Sequence, residues 1–264
     1  EQLKEIKKKH GKPRKTQIMD AGEINVLDKS DFIENYNVHL VTTAQGYFKK
    51  ITPQSLRMSS EHKLKDDDKI AVEVVSDNKN EVMFFTDKHQ VYKAKVNDFS
   101  DTKASVLGDY IPAKLDFDKD EAPVYMAAVD DYSGYMIFVF ENGKISRVPL
   151  ESYATKTNRK KLIKAYSDKY PIHTILFVRE DRDILLKSTN GRMLIVNTAS
   201  IPAKTTKDNG GVAVMTQKKG QRISEVTLYE KGTLDGDHRY RTKNLPAAGS
   251  LKVGDTAKQA TLDI

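Results

Sequence analysis

Four stretches of the chain repeat one pattern: an apolar run, a short polar turn, and a second run rich in apolar residues. They are "VHLVTTAQGYFKKI" from residue 38, "MFFTDKHQVYKAKV" from 83, "IFVFENGKISRV" from 137 and "ILLKSTNGRMLIV" from 184. β-rich runs flanking a short polar turn predict hairpins. Aligned on the turn, the units place Gly46, His89, Gly143 and Gly191 in register, 43, 54 and 48 residues apart. The last residue of such a turn often needs a positive φ, which glycine adopts freely and histidine tolerates better than most residues.

Three of these hairpins have a further β-rich strand just upstream, in "IAVEVVSDNKNEVMFF", "VYMAAVDDYSGYMIFVF" and "IHTILFVREDRDILL". The predicted unit is therefore a three-strand meander. It is followed by a loop of roughly 25 residues with room for a fourth strand. Units of about 40 to 50 residues that each form one small sheet predict blades around an axis. The stretch after the fourth unit allows two readings: a degenerate fifth blade around "DGDHRYRT", or a return that pairs with "GEINVL" at residues 22 to 27. The start alone reads as helix. "EQLKEIKKK" spaces Leu3 and Ile6 three apart among charges, and Gly11 and Pro13 end it. A charged helical opening without Met points to a piece of a longer protein.

Composition narrows the chemistry. Apolar residues make up 38% and charged residues 31%, polar for a globular chain but not a disordered composition. The absence of cysteine excludes disulfides, thiolate metal sites and a cysteine nucleophile. No apolar run approaches the ~18 residues of a membrane span, and the charged start lacks a secretory signal, so the cytoplasm is the expected compartment. Lys plus Arg exceed Asp plus Glu by 44 to 37, a net charge of +7 that suits nucleic acid or an acidic surface.

The basic residues fall at repeated places. Four positions past the turn, the units carry Lys50, Lys93, Arg147 and Ile195, with Lys49, Lys95, Lys144 and Arg192 nearby. Phe48, Val91, Ile145 and Leu194 are expected to face inward and the cations outward, on one rim of each blade. Lys218, Lys219 and Arg222 extend this path. Such a rim suits a polyanion held by its phosphates. Outward lysines that block edge-to-edge strand pairing explain the same residues. A bladed protein-interaction scaffold without DNA binding is the reading from another class, and the acidic stretches "DFDKDE" and "KDDDK" suit it.

No phosphate loop, dinucleotide fingerprint or nucleophile elbow is present, and the six histidines are scattered. "DFDKDEA" at 116 to 122 begins like a calcium loop but has Glu121 where glycine belongs and Ala127 where the last glutamate belongs. "KDDDK" and "NGGVAV" read as turns. Neither a catalytic residue nor a metal site is expected.

"LKEIKKKHGKPRKTQI", Leu3 to Ile18, resembles the segment that joins the catalytic core of bacterial type IIA DNA topoisomerase A subunits to their C-terminal domain. "VHLVTTAQGYFKKI" resembles that domain's first blade motif. The resemblance implies an all-β, propeller-like β-pinwheel of four to six four-stranded blades over residues 21 to 264, after the end of a helical connector at 1 to 20. It implies duplex DNA bent on a basic outer edge, steering strand passage. It also implies as partners the ATP-binding B subunit, together with the remainder of the A subunit. Catalytic groups, ATP and Mg would lie elsewhere in that holoenzyme, with no cofactor in this chain, no activity of its own, a monomeric isolated domain and a place on the chromosome. Gyrase A subunits carry a box resembling Gln-Arg-Arg-Gly-Gly-Lys-Gly shortly after the first blade. Here that region reads "SLRMSSEHKLKDDDK", Ser55 to Lys69, without glycine and with three consecutive acids. The resemblance therefore leans toward a topoisomerase IV-type subunit.

Overall fold

The computed structural model describes residues 1–12, 32–155 and 159–252. The chain divides into two units, Glu1–Glu34 and Asn35–Ile264. In the first, helix α1 (Gln2–His10) buries none of its side chains and is followed by Gly11.

The second unit consists of four antiparallel sheets of four strands each. Every sheet is centred on one of the predicted hairpins. The first blade pairs β1 (Asn37–Thr43) with β2 (Tyr47–Ile51); β3 (Ile70–Asp77) flanks β1, and the short β6 (Asp109–Tyr110) flanks β2. The second is built from β4 (Glu81–Thr86) and β5 (Val91–Lys95), flanked by β7 (Pro123–Val129) and β10 (Lys161–Leu162). The third has β8 (Tyr135–Phe140) and β9 (Lys144–Pro149), flanked by β11 (Ile172–Val178) and β14 (Val212–Ala213). The fourth has β12 (Asp183–Ser188) and β13 (Arg192–Asn197), flanked by β15 (Ile223–Leu228) and β16 (Ser250–Leu251). The turn residues adopt the expected conformation, with φ of 88° at Gly46, 58° at His89, 80° at Gly143 and 80° at Gly191.

The pairing corrects the predicted meander. The strand upstream of each later hairpin belongs to the blade before it: β3 leads into β4 but pairs with β1, and β7 leads into β8 but pairs with β4. A short turn ordinarily joins paired neighbours, whereas here it carries the chain from one blade to the next. The long loops do supply fourth strands, also to the preceding blade: β6 follows β5 in sequence yet completes the first sheet. Each of the first three blades is thus closed by chain that has already built the hairpin of the next. The last stretch adds β15 and β16 to the fourth blade, and "DGDHRYRT" forms a 3-10 turn at Asp237–Tyr240. No fifth blade occurs among the described residues. Residues 22 to 27, the alternative pairing partner, lie outside them.

The cores lie between blades. Leu40, Phe48, Phe84 and Phe99 fill the first interface. Phe85, Phe138, Phe140, Tyr153 and Tyr166 fill the second. Ile137, Val139, Ile184, Leu186 and Leu194 fill the third. Each blade between two others is covered on both faces, so its strands read as unbroken apolar runs. Phe84 and Phe85 accordingly enter different interfaces. Fully burying one such side chain contributes roughly 1.5–3 kcal/mol, and the run "MIFVF" feeds two interfaces at once. At the ends, Val41, Ile51 and Ala104 are covered by Leu56, and Ile195 and Met193 are covered by Tyr229 and Tyr240.

Candidate nucleic-acid interface

The structure divides the ten predicted contact residues by environment. Lys49, Lys50, Lys93 and Arg147 are buried, Lys144 and Arg192 are half-buried, and Lys95, Lys218, Lys219 and Arg222 are exposed. The expectation that the aligned cations point outward is not met. The reason is strand parity. Residues two apart on a strand share a face, and Lys50, Lys93 and Arg147 each stand two positions after Phe48, Val91 and Ile145, which face a blade interface.

What the aligned cations do there is the same in all three blades. Each spans the interface to a backbone carbonyl at or beside the end of a 3-10 turn that follows the next hairpin. Lys50 Nζ donates to Phe99 O at 3.0 Å, Lys93 Nζ to Tyr153 O at 3.3 Å, and an Arg147 terminal nitrogen to Ile201 O at 3.2 Å. Each also has a carboxylate partner: Asp101 at 2.9 Å, Glu81 at 3.4 Å and Asp181 at 2.9 Å. Each lies over a tyrosine, with ring distances of 5.4 Å at Tyr36, 4.8 Å at Tyr132 and 3.7 Å at Tyr135. The carboxylate and ring compensate the loss of hydration that a buried cation suffers. In the fourth blade Ile195 holds this place, and it packs into the apolar cap instead. Lys49 faces the opposite way and donates to Lys63 O at 2.7 Å and Ala104 O at 2.9 Å. Burial lowers its pKa, partly offset by Asp68.

The half-buried pair is also engaged. Lys144 Nζ lies 2.9 Å from the Tyr170 hydroxyl, which that hydrogen bond holds below its ordinary pKa. Arg192 donates to Gly249 O at 2.7 Å. Lys95 ends β5, and Lys218, Lys219 and Arg222 lie between β14 and β15 with exposed side chains.

A second basic series, missed in the sequence, lies on the segments that carry the short edge strands. These strands occupy the side of each sheet opposite β3, β7, β11 and β15. β3 touches β7 and β11 touches β15 on that side, while on the side of the short strands the segment after β14 meets the segment before β16, with Ala247 N donating to Val214 O at 3.0 Å. Three edge segments begin alike. Thr102 N donates to Lys50 O at 2.7 Å, Lys204 N donates to Arg147 O at 2.9 Å, and Arg241 bridges Ile195 in parallel. Exposed Lys103, Lys204 and Lys243 follow at or just after these points. Each segment then passes a glycine in the left-handed region, Gly108, Gly211 or Gly249, with φ of 87°, 70° and 70°. A Cβ on Gly108 would meet Phe48 O at 2.1 Å and one on Gly211 would meet Ile145 O at 2.5 Å, so the edge strand can approach only because no side chain intervenes. The second blade lacks this glycine but exposes Arg159, Lys160 and Lys164 around β10. The readable signal was the recurrence of Thr-Lys or Ala-Lys ahead of a glycine, at 102–108, 203–211 and 242–249.

Among the described residues, no group of His, Asp or Glu side chains is placed to hold a metal ion. The "DFDKDEA" loop is committed internally. Glu121 accepts from Thr86, from Tyr92 Oη at 2.8 Å and from Asp118 N at 2.9 Å, while Asp118 pairs with Lys161 at 2.6 Å. Among the described residues, no helix is long and apolar enough to cross a membrane.

No family model matches the chain. Its sequence is similar to that of the DNA gyrase A subunit of Mycoplasma pneumoniae, 27% identical over 98% of this chain and 33% of that protein. It is also similar to the DNA topoisomerase 4 A subunit of Streptococcus pyogenes serotype M3, 25% identical over 79% of this chain and 26% of that protein. The chain thus spans about a third or less of the curated relatives it matches. In structure it is similar to the C-terminal domain of DNA topoisomerase IV, with a TM-score of 0.62 at 22% identity over 75% of this chain and 62% of that one. It is also similar to the E. coli ParC C-terminal domain, with a TM-score of 0.60 at 13% identity over 83% of this chain and 94% of that one.

Proposed function

We propose that this chain, a homologue of DNA gyrase A and topoisomerase IV A subunits with the β-pinwheel fold of their C-terminal domains, binds and bends duplex DNA along the edge of its blades that carries the short strands β6, β10, β14 and β16. The observation that carries the reading is the repeated edge segment, which exposes Lys103, Lys204 and Lys243 at matching places in three blades and Arg159, Lys160 and Lys164 in the other. Exposed Lys95, Lys218, Lys219 and Arg222 belong to the same proposal. Buried Lys49, Lys50, Lys93 and Arg147 do not, because their charged groups are already bonded inside the fold.

Neutralising several phosphates makes affinity indifferent to sequence and steeply salt-dependent. Bending a duplex along such an edge steers which DNA crossing reaches a strand-passage site. That site, with its catalytic groups and its requirement for ATP and Mg, lies in the B subunit, together with the rest of the A subunit. This domain is a non-catalytic part of the assembly, monomeric when isolated, and acts on the chromosome. In place of the gyrase box, the loop after β2 carries Asp66, Asp67 and Asp68. Asp68 is bonded to Gln45 N at 3.0 Å and to Lys69 N at 2.8 Å. Three acids there repel a phosphate backbone, which favours decatenation and relaxation over wrapping-driven supercoiling.

The test is the affinity of the chain for a linear duplex of about 40 base pairs across several salt concentrations. Binding that weakens steeply with salt, regardless of sequence, is expected. No binding at low salt refutes the reading and leaves a protein-interaction scaffold.

A further inference from the structure

The basic stretch around β10 holds an apolar residue where one is least expected. Ile163 is 68% exposed, while its neighbour Leu162 packs toward the second interface. The exposed cations Arg159, Lys160 and Lys164 surround it in sequence. A single exposed aliphatic residue is ordinary on a protein surface; what distinguishes Ile163 is how it is held. On one side Leu162 pairs with Val91 in the sheet. On the other, Ala165 N donates to His89 O at 2.8 Å, and the buried Tyr166 hydroxyl donates to Thr86 O at 2.6 Å. Between these anchors the chain makes a two-residue excursion, with Lys164 in the left-handed region at φ 53°. The tip is therefore fixed at both ends and presents one aliphatic side chain amid cations, on the edge proposed to carry DNA.

We propose that Ile163 is a wedge that inserts into a base step of duplex DNA and kinks it at the second blade. The inference rests on the DNA-binding reading. Apolar wedges of this kind partly unstack a step, and the cost is offset by the added contact of the bent duplex with the protein. Cations beside the wedge hold the flanking phosphates, and pyrimidine–purine steps open most readily. A bulky aliphatic group on an anchored tip suits this role, whereas a flexible loop would lose entropy on insertion.

The experiment uses the 264-residue chain and a set of duplexes, each with 2-aminopurine at a different TA step. Binding by the unaltered chain is expected to raise 2-aminopurine emission at a subset of steps. Ile163→Ser should abolish the rise, and Ile163→Leu should keep it. Both should retain salt-dependent binding and an unchanged unfolding midpoint, since the side chain is exposed. If the unaltered chain binds without any rise, or if Ile163→Ser keeps the rise, the wedge is overturned while DNA binding stands. If the unaltered chain does not bind duplex at low salt, the DNA reading falls and the wedge with it.

Discussion

The cations on the second strand of each hairpin and the cations on the edge segments are the same residue types on touching stretches of chain, yet the fold gives them opposite surroundings. Lys50, Lys93 and Arg147 sit between blades, each with a carbonyl, a carboxylate and an aromatic ring. Lys103 and Lys204, on segments bonded to the backbone of Lys50 and Arg147, face solvent. The inner set joins one blade to the next, and the outer set is left to bind a partner. A position's charge in a repeat therefore says little until the face it occupies is known.

Removing inner cations should give the largest effect. Lys93→Met and Arg147→Met each leave a buried carbonyl without its side-chain donor, which costs about 1–3 kcal/mol, while the carboxylates of Glu81 and Asp181 keep the hydroxyls of Tyr132 and Thr198. The two sites serve different interfaces, so their effects should nearly add. Urea unfolding of the double variant checks this, and a change within error would mean the inner set does not hold the blades. Gly211→Ala should come next. Its φ of 70° and a Cβ 2.5 Å from Ile145 O strain the approach of β14, at about 1–3 kcal/mol for the backbone conformation alone. Hydrogen exchange at Val212 and Ala213 should rise while the fourth blade is unaffected.

A smaller effect separates the fourth blade from the others, because it has no inner cation. Arg241 instead pairs with Asp183 at 2.7 Å from the edge segment, and that hydrogen bond holds the Asp183 carboxyl below its ordinary pKa. A lowered carboxylate pKa stabilises the fold fully above the unfolded value of about 3.9 and is lost as pH falls through the lowered folded value. Below about pH 4, thermal unfolding of the unaltered chain should therefore lose more stability than that of Asp183→Asn. Equal acid sensitivity would show that the pair contributes nothing. Both groups are partly exposed, so the difference should be modest.

The hairpins were legible because each turn needs a backbone conformation that glycine supplies, and even His89 at the one exceptional turn was readable. Blade membership was not, since the turn between β3 and β4 has the same polar character whether its strands pair or part. The side of the inner cations was available in the sequence: Phe48 and Lys50 share strand parity, and a strand covered on both faces has no outward side. The edge lysines were hidden by loop variation, with five residues from Lys103 to Gly108 and seven from Lys204 to Gly211. The short Thr-Lys or Ala-Lys signal gains meaning only from the matching backbone contacts with Lys50, Arg147 and Ile195.

The edge set should barely affect stability, since exposed substitutions usually change it by less than about 0.5 kcal/mol. Its effect is on binding. The most direct test is therefore the slope of log affinity against log salt for a linear duplex, measured for Lys103→Gln/Lys204→Gln/Lys243→Gln beside the unaltered chain. Loss of three phosphate contacts should flatten the slope by about 2.7 with an unchanged unfolding midpoint. An unchanged slope and affinity would contradict the claim that the edge carrying the short strands binds DNA.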